Sequence, residues 1–228
     1  QVKQKAIPSF IGNTSAQIGV FGGQCSDTEI EKHKIAALDF DYIVGIGGGK
    51  TLDTAKATAH YLVKPVLILP TLASTDAPCT AISVIYNDDD TFNRYLFLSK
   101  NPDVVLADTQ ILAEEPVRFF AAGVGDGLAT YFEARACYKA QKDNLILGQH
   151  GSMLKPSLIG FTIAKTCYET IKLHAAQAVY AVKNKVVTPA LEHTIEATIY
   201  MSAVGAESGG CAAAHAIHNG MTVVDDLH

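Results

Sequence analysis

The residues most able to do chemistry fall in four separate stretches of the sequence. Two of them read GIGGGKTLDTAKA at 45–57 and PTLASTDAP at 70–78. The other two read GVGDGLATYFEA at 123–134 and ESGGCAAAHAIHNG at 207–220. A glycine run after a strand exposes backbone N–H groups that bind phosphate, and Asp and His are metal ligands. The four stretches therefore raise the possibilities of a phosphate site and a metal site.

The glycine run follows DYIV at 41–44, which reads as a short apolar strand, and it precedes a helical pattern. A P-loop would need a glycine at Val44, and the G-x-G-x-x-G pattern would need one at Lys50, so neither motif fits. The alternative is a tight turn with solvated charges. Three consecutive glycines cost conformational entropy that a plain turn does not require, so we favour phosphate binding.

The second stretch leaves a predicted strand at Pro70 and carries several hydroxylated residues and one carboxylate, Asp76. Loops at the carboxyl ends of parallel strands commonly hold the ligand sites of such sheets. This composition suits a hydroxyl-bearing ligand. Thr, Ser and Asp are also ordinary turn formers, and the pattern by itself does not decide between the two interpretations.

The last two stretches carry candidate metal ligands. Asp126 is expected near a helix start, and His215 and His218 are spaced i, i+3 on one helical face. An Asp with one or two His suits zinc or iron. A helix cap for Asp126 and a core role for either His are the alternatives, and for the two histidines alone a structural role is at least as favoured.

The elements that must position these residues divide the chain into two parts. Apolar runs bounded by Gly or Pro predict strands at 17–23, 42–48, 65–71 and 102–108. Helical patterns between them predict helices at 26–39 and 51–63. Two alternating runs on either side of the polar turn Asn87–Asp90 predict a β-hairpin at 80–99. Alanine-rich patterns predict helical segments at 118–140, 157–181 and 188–220. We therefore expect an α/β domain at 1–115 with a parallel, helix-covered sheet, and an all-α domain at 116–228. A ligand would bind in the cleft between them.

Composition excludes several classes of protein. The 228 residues are 48% hydrophobic and 18% charged, which is typical of a compact globular chain. A net charge of −5 argues against a nucleic-acid surface, and the longest apolar runs are too short to span a bilayer. Five scattered cysteines and no secretory leader predict free thiols in the cytoplasm.

Taken together and in this order, the four stretches resemble those of glycerol dehydrogenases, in the iron-containing alcohol dehydrogenase superfamily. The resemblance extends from about residue 17 to the end of the chain. It implies a two-domain dehydroquinate-synthase-like fold, a homo-oligomer, NAD as cofactor and a zinc ion. In that family the glycine run wraps the NAD pyrophosphate.

The resemblance also implies roles for individual residues. Asp76 matches the residue that contacts the polyol substrate, and Asp126 and His215 match two of the three zinc ligands, whereas His218 matches none. The positions that match cofactor contacts are Gly47, Gly48, Gly49, Lys50, Thr51, Leu52, Asp53, Thr71, Leu72, Ala73, Ser74, Thr80, Ile82 and Tyr86.

The implied reaction is the oxidation of glycerol to dihydroxyacetone, or of a related 1,2-diol, with hydride transfer to NAD. Zinc would polarise the hydroxyl, and no protein nucleophile is required. The alternatives are a glycerol-1-phosphate dehydrogenase, an iron-dependent alcohol dehydrogenase and a non-catalytic nucleotide-binding relative. Thr130 stands where the iron enzymes carry a further His, which favours zinc.

Two features of the family pattern are missing from the sequence. Family members open with a strand that ends in an acid, and their third zinc ligand is a His that family spacing places beyond His228. We therefore expect the chain to be truncated at both ends, with His228 not serving as a ligand.

Overall fold

The computed structural model describes residues 15–148 and 151–224. Its first part mixes helices and strands: α1 Asp27–Ala36, β1 Ile43–Gly47, α2 Gly49–Leu62, β2 Val66–Pro70, β3 Ile82–Tyr86, β4 Phe92–Phe97 and β5 Val104–Val105. Helices follow: α3 Thr109–Leu112, α4 Val117–Ala140, α5 Leu158–Asn184, α6 Pro189–Ile195, a π-helical segment Glu196–Met201, α7 Ser202–Gly209 and α8 Ala213–Met221.

Three strands form a parallel sheet in the order β1-β2-β5. Ile43 pairs with Val66, and Leu67 pairs with Val104. The helix α2 covers this sheet by packing Leu52 against Ile68, both of which are fully buried. The predicted parallel, helix-covered sheet is confirmed.

The hairpin is also confirmed, since β3 and β4 pair antiparallel from Ile82↔Phe97 to Tyr86↔Phe92. Its turn is hydrogen-bonded by the Asn87 N–H to Thr91 O, and Asp89 Oδ1 accepts from the Thr91 N–H at 3.1 Å. These local bonds are those of an ordinary hairpin turn at Asn87–Asp90, as the sequence predicts.

The strand predicted at 17–23 is wrong, because this segment, all of which the structure describes, forms no ladder with a neighbouring strand. Its polar groups are bonded to side chains of α1 instead. The Gly22 N–H donates to Glu29 Oε1 at 2.7 Å, and Val20 O accepts from Lys32 Nζ at 3.1 Å. Val20 is 62% exposed, so the segment lacks both the partner strand and the buried face that a strand needs.

The helical part packs around two clusters of buried side chains. One cluster centres on Phe120, Leu191 and Ile195, and the other places Ile171 and Cys167 against Ala197. Among the described residues, no helix is both long and apolar enough to cross a membrane.

The region predicted to be helical at 188–220 is helical but interrupted twice. A π-helical segment spans Glu196–Met201, and residues 210–212 leave the helical conformation. The second break follows from Gly210, whose φ is +96°, a value that favours glycine and ends α7.

Candidate active site

A glycine-rich turn joins the end of β1 to the start of α2. Gly48 is the N-cap residue of α2 and supplies no side-chain hydrogen bond to the helix end. The first N–H groups of an α-helix have no partner within the helix, so this turn keeps donors available. Gly47 has a φ of +156°, which residues with a side chain rarely adopt. The turn therefore offers an anion the positive end of a helix dipole.

The loop after β2 packs directly on this turn. The Thr71 N–H donates to Gly47 O at 2.9 Å. A Cβ atom added to Gly48 would lie 2.9 Å from Leu72 Cδ1, so the two segments are in close contact. The structure thus brings together two of the stretches that the sequence marked as cofactor-binding.

Lys50, on the first turn of α2, faces the hairpin. Its ammonium lies 4.8 Å from the ring centroid of Tyr86, another predicted cofactor contact. This cation–π contact places a positive charge beside the helix N-terminus. An anion held at the turn would find this charge close by.

Other predicted cofactor residues have buried side chains. Leu52 is fully buried, and Thr80 and Ile82 are nearly so. The Asp53 carboxylate is buried too, where Oδ2 accepts from the Val84 N–H at 2.9 Å. These buried side chains pack beneath the loops and support them. Only the small exposed fraction of each residue could contact a ligand, so their cofactor roles stay predictions.

The loop after β2 also brings Asp76 to side chains of the helical part. Asp76, Asp126, Glu133 and His215 together form a group that we call the acidic cluster. The Asp76 N–H donates to Asp126 Oδ2 at 3.3 Å, and Asp76 Oδ2 accepts from Ser202 Oγ at 3.1 Å. The Ser202 hydroxyl is in turn 2.7 Å from Thr130 Oγ1. The Asp76 carboxylate is therefore held by a hydroxyl network between α4 and α7.

His215 completes this cluster from α8. Its Nε2 lies 3.7 Å from Asp126 Oδ1, and its Nδ1 lies 2.6 Å from Glu133 Oε2. The other oxygen of Glu133 accepts from the backbone N–H groups of Ala212 and His215. Glu133 thus fixes both the start of α8 and the orientation of the imidazole.

The position of Asp126 corrects one expectation, because it lies well inside α4 and not near a helix start. The glycines around it serve close packing instead of capping. A Cβ atom at Gly123 would lie 1.8 Å from Ala73 O, and one at Gly127 would lie 2.5 Å from Ile171 Cδ1. Gly123 lets α4 approach the loop after β2, which is how Asp126 reaches Asp76.

The acidic cluster holds three carboxyl groups and a single imidazole, so its negative charges outnumber its positive charges when all four groups are ionised. Burial, and then the negative charge of Asp126, raise the pKa of Asp76 to about 7. Burial raises the pKa of Asp126 as well. Hydrogen bonds to Cys211 and Glu133 raise the pKa of His215 above its ordinary value. Three carboxylates share one imidazole here, and a bound cation would stabilise their ionised forms.

These donors fit a divalent metal ion. Asp126 Oδ1 and His215 Nε2 face each other at 3.7 Å, a separation that one ion about 2.0–2.2 Å from each ligand can bridge. A carboxylate behind the other ring nitrogen, as Glu133 provides, is the usual support of a metal-binding His. Glu133, Cys211 and His215 also offer ligand atoms within 4.8 Å of one another. Since both Glu133 oxygens already accept hydrogen bonds, we regard Glu133 as orienting His215.

The two other histidines considered as ligands lie elsewhere. His218 is exposed on α8, and His228 lies outside the described residues. Sequence reasoning overlooked Glu133 and Ser202, which hold His215 and Asp76. Glu133 is seven residues after Asp126, a spacing that places both on one face of a helix and could have identified it.

Comparisons with known proteins identify the family of this chain and its similar structures. Residues 4–109 match the family model described as iron-containing alcohol dehydrogenase. The chain is 54% identical over 210 residues to a glycerol dehydrogenase of Thermotoga maritima and 50% identical over 214 residues to one of Escherichia coli O6:H1. These matches cover 92% and 93% of the chain. A crystal structure of a probable glycerol dehydrogenase from Sinorhizobium meliloti superimposes with a TM-score of 0.89 at 41% identity, covering 93% of this chain and 59% of that one.

A parallel, helix-covered sheet followed by helices that carry a cluster of Asp, Glu and His side chains is the class of fold that these elements and residues define, and the chain belongs to the iron-containing alcohol dehydrogenase family. Within that family it is similar to the glycerol dehydrogenases. The chain spans little more than half the length of these relatives, namely 56% and 57%.

Proposed function

We propose that the protein oxidises glycerol to dihydroxyacetone with NAD as hydride acceptor and a zinc ion as cofactor. One observation carries this proposal. The loop after β2 touches the glycine turn through Thr71 and the acidic cluster through Asp76, with hydrogen bonds of 2.9 Å and 3.3 Å. A cofactor at the turn and a substrate at the cluster would therefore be neighbours, as hydride transfer requires.

Asp126 and His215 would hold the zinc ion. When bound, zinc would act as a Lewis acid that polarises the substrate hydroxyl and lowers its pKa. Glu133 accepts the Nδ1 proton of His215 in a hydrogen bond, which keeps Nε2 directed towards Asp126. Before zinc can bind, Nε2 must be free of its proton, so binding should release a proton.

Asp76 would orient the polyol. Its carboxylate is fixed by Ser202 at 3.1 Å and stands beside Asp126 through its own N–H. A hydroxyl of the substrate that donates to this carboxylate would be held in one orientation, which lowers the entropic cost of reaching the reactive geometry.

NAD would bind with its pyrophosphate at the N-terminus of α2. The open N–H groups of the turn and the charge of Lys50 support this placement. The contacts proposed for the dinucleotide are Gly47 to Asp53, Thr71 to Ser74, Thr80, Ile82 and Tyr86.

We further propose a homo-oligomer in the cytoplasm, with the domains divided between residues 115 and 116. Large apolar side chains of α5 are exposed, among them Leu173 at 72% and Tyr180 at 69%, which supports their burial against another subunit.

All five cysteines are free, which supports a reducing compartment. The last strand ends at Val105, and the described residues after it form helices and one isolated bridge between Leu147 and Met153, which supports the domain division.

The test is an NAD reduction assay combined with metal analysis. The protein at its full natural length should reduce NAD with glycerol, contain zinc, lose activity to a chelator and regain it with zinc. Glycerol 1-phosphate serves as the competing substrate and iron as the competing metal. Faster turnover of glycerol 1-phosphate, or restoration by iron but not zinc, would replace this proposal with one of the alternatives. NAD binding without turnover of either substrate would indicate a non-catalytic relative.

A further inference from the structure

Lys56, on α2, is a charged residue whose side chain is completely buried. Its ammonium contacts four oxygens of the segment 77–82: Ala77 O at 2.6 Å, Thr80 O and Thr80 Oγ1 at 3.1 Å each, and Ile82 O at 2.6 Å. The carboxylate Oδ1 of Asp53 lies 2.9 Å away and supplies the counter-charge. Burying an ammonium is costly unless it is paired and hydrogen-bonded, and here it is both.

The segment 77–82 that Lys56 contacts is a loop, and only its last residue, Ile82, belongs to a strand. Residues 71–81 connect β2 to β3 without regular structure, so their peptide groups need partners from outside the segment. Lys56 provides that partner for the carbonyls of Ala77 and Thr80 in this loop, and for Ile82 where β3 begins.

Carboxyl groups of two buried residues and one half-buried residue hold N–H groups of the same loop. Glu115 accepts from the Ala73 N–H at 3.1 Å, Asp126 accepts from the Asp76 N–H at 3.3 Å, and Glu207 accepts from the Ala81 N–H. These acids come from the chain after β5, whereas Lys56 comes from the helix that begins at the glycine turn. The loop is therefore fixed from both parts of the molecule, by an ammonium that donates to its carbonyls and by carboxyl oxygens that accept from its N–H groups.

We propose that Lys56 is a positioning residue for the reaction: its buried ammonium sets the path of segment 77–82. This path begins directly after Asp76, the proposed substrate contact, and thereby fixes its position, so the inference rests on the proposed function. Lys56 is seven residues after Gly49, the first residue of α2. One rigid helix thereby connects the proposed pyrophosphate site with the loop that carries the substrate contact.

The first test compares Lys56→Met with Lys64→Met in the zinc-loaded full-length protein. Methionine keeps the length of the lysine stem but removes the charge. Lys64 is a matched control, because its ammonium also binds two backbone carbonyls, those of Ala37 and Leu38 at 2.7 Å each, away from the site. For Lys56→Met we expect the glycerol KM to rise at least tenfold, and for Lys64→Met we expect no change.

A merely structural role predicts a different result. Loss of stability alone would lower the maximal rate in proportion to the folded fraction and leave the KM of the folded enzyme unchanged. That outcome for Lys56→Met would overturn the proposal.

A second test measures backbone hydrogen exchange and does not depend on activity. In Lys56→Met the amides of Cys79 and Ala81 should exchange at least tenfold faster, while those of β2 keep their protection. Equal exchange of Cys79 and Ala81 in Lys56→Met and the parent would overturn the proposal.

If Lys56→Met does not fold, the exchange rates of the parent protein decide. Exchange of the Cys79 and Ala81 amides at the rate of the exposed hairpin turn would overturn the proposal. Protection of these amides like that of β2 would support it. If the parent does not oxidise glycerol, the proposed function fails, and the exchange result still reports whether Lys56 holds the loop.

Discussion

The glycine turn and the acidic cluster are two sites built in opposite ways. The turn around Gly48 uses backbone N–H groups and a helix end, and its residues are consecutive in the sequence. The cluster uses the side chains of Asp76, Asp126 and His215, which lie on a loop and two helices far apart in the chain. A backbone site depends on local conformation, whereas a side-chain site depends on the packing of the whole molecule.

The largest expected effect breaks the side-chain site. Asp126→Ala should remove one of the two proposed zinc ligands and also the acceptor of the Asp76 N–H. We expect zinc affinity to fall more than the 10–100-fold typical of a lost supporting contact. Turnover should fall by roughly a thousandfold, since the metal supplies several kcal/mol of stabilisation.

Metal analysis and glycerol turnover measure this, with Asp143→Ala as the control. Asp143 pairs with Lys155 at 2.7 Å on the surface, so its loss should leave zinc content unchanged. Full zinc content in Asp126→Ala would show that the ligand is another group, with Glu133 and Cys211 the nearest candidates.

A second change breaks the backbone site and should spare the first. Gly48→Val places a branched side chain against Leu72 and over the turn, and we expect it to abolish NAD binding. Lys50→Ala should weaken NAD binding by one to two decades, because a charged hydrogen bond contributes roughly 1.5–3 kcal/mol. Calorimetry with NAD measures both, and zinc content should not change. Binding equal to that of the parent in both variants would mean that the loop is only a turn.

The third prediction sharpens the division of labour inside the cluster. Asp76→Ala should keep zinc and NAD binding but lower kcat/KM for glycerol by about 10–100-fold, the value of one hydrogen bond to a charged group. Ser202→Ala, which removes only the hydroxyl that steadies Asp76, should give a smaller loss in the same direction. Loss of zinc from Asp76→Ala would assign this carboxylate to the metal instead.

The smallest effect concerns Glu115, which holds the Ala73 N–H between the two sites. Burial raises the pKa of Glu115 from 4.5 to about 7. The unfolded chain therefore ionises first as pH rises, and stability is lost between about pH 4.5 and pH 7. Glu115→Gln keeps an acceptor without the charge, so it should be neutral at pH 4.5 and stabilising by about 3 kcal/mol at pH 8. Urea unfolding at both pH values measures this, and an equal effect at the two would contradict the assigned pKa.

The two sites also differ in how far the sequence predicts them. The strand, turn and helix around Gly48 follow from adjacent residues, and the structure has all three. The cluster required the family resemblance, because nothing local indicates that Asp126 meets Asp76. The conformation around Asp126 was predicted wrongly, since glycines that permit close packing of α4 resemble glycines that begin a helix.

Some features of the fold could not be predicted because they depend on distant partners. The apolar segment at 17–23 has the composition of a strand, yet Glu29 and Lys32 bind its backbone. The buried charge of Lys56 is equally hidden, because an i, i+3 pair with Asp53 looks like an ordinary solvated pair on a helix. Only the tertiary structure shows that this pair is enclosed.

The π-helical segment Glu196–Met201 constrains the number of residues in this part of the chain more than it constrains which residues they are. A π-turn accommodates one residue more than an α-turn, so the segment shifts the phase of all that follows. Deleting one residue from it would restore α-helical phase and rotate Ser202 and Glu207 by about 100° around the axis, away from Asp76 and Ala81. Point substitutions here should therefore be tolerated far better than a single-residue deletion, and related chains that keep these contacts should keep the same number of residues between Thr188 and Ser202.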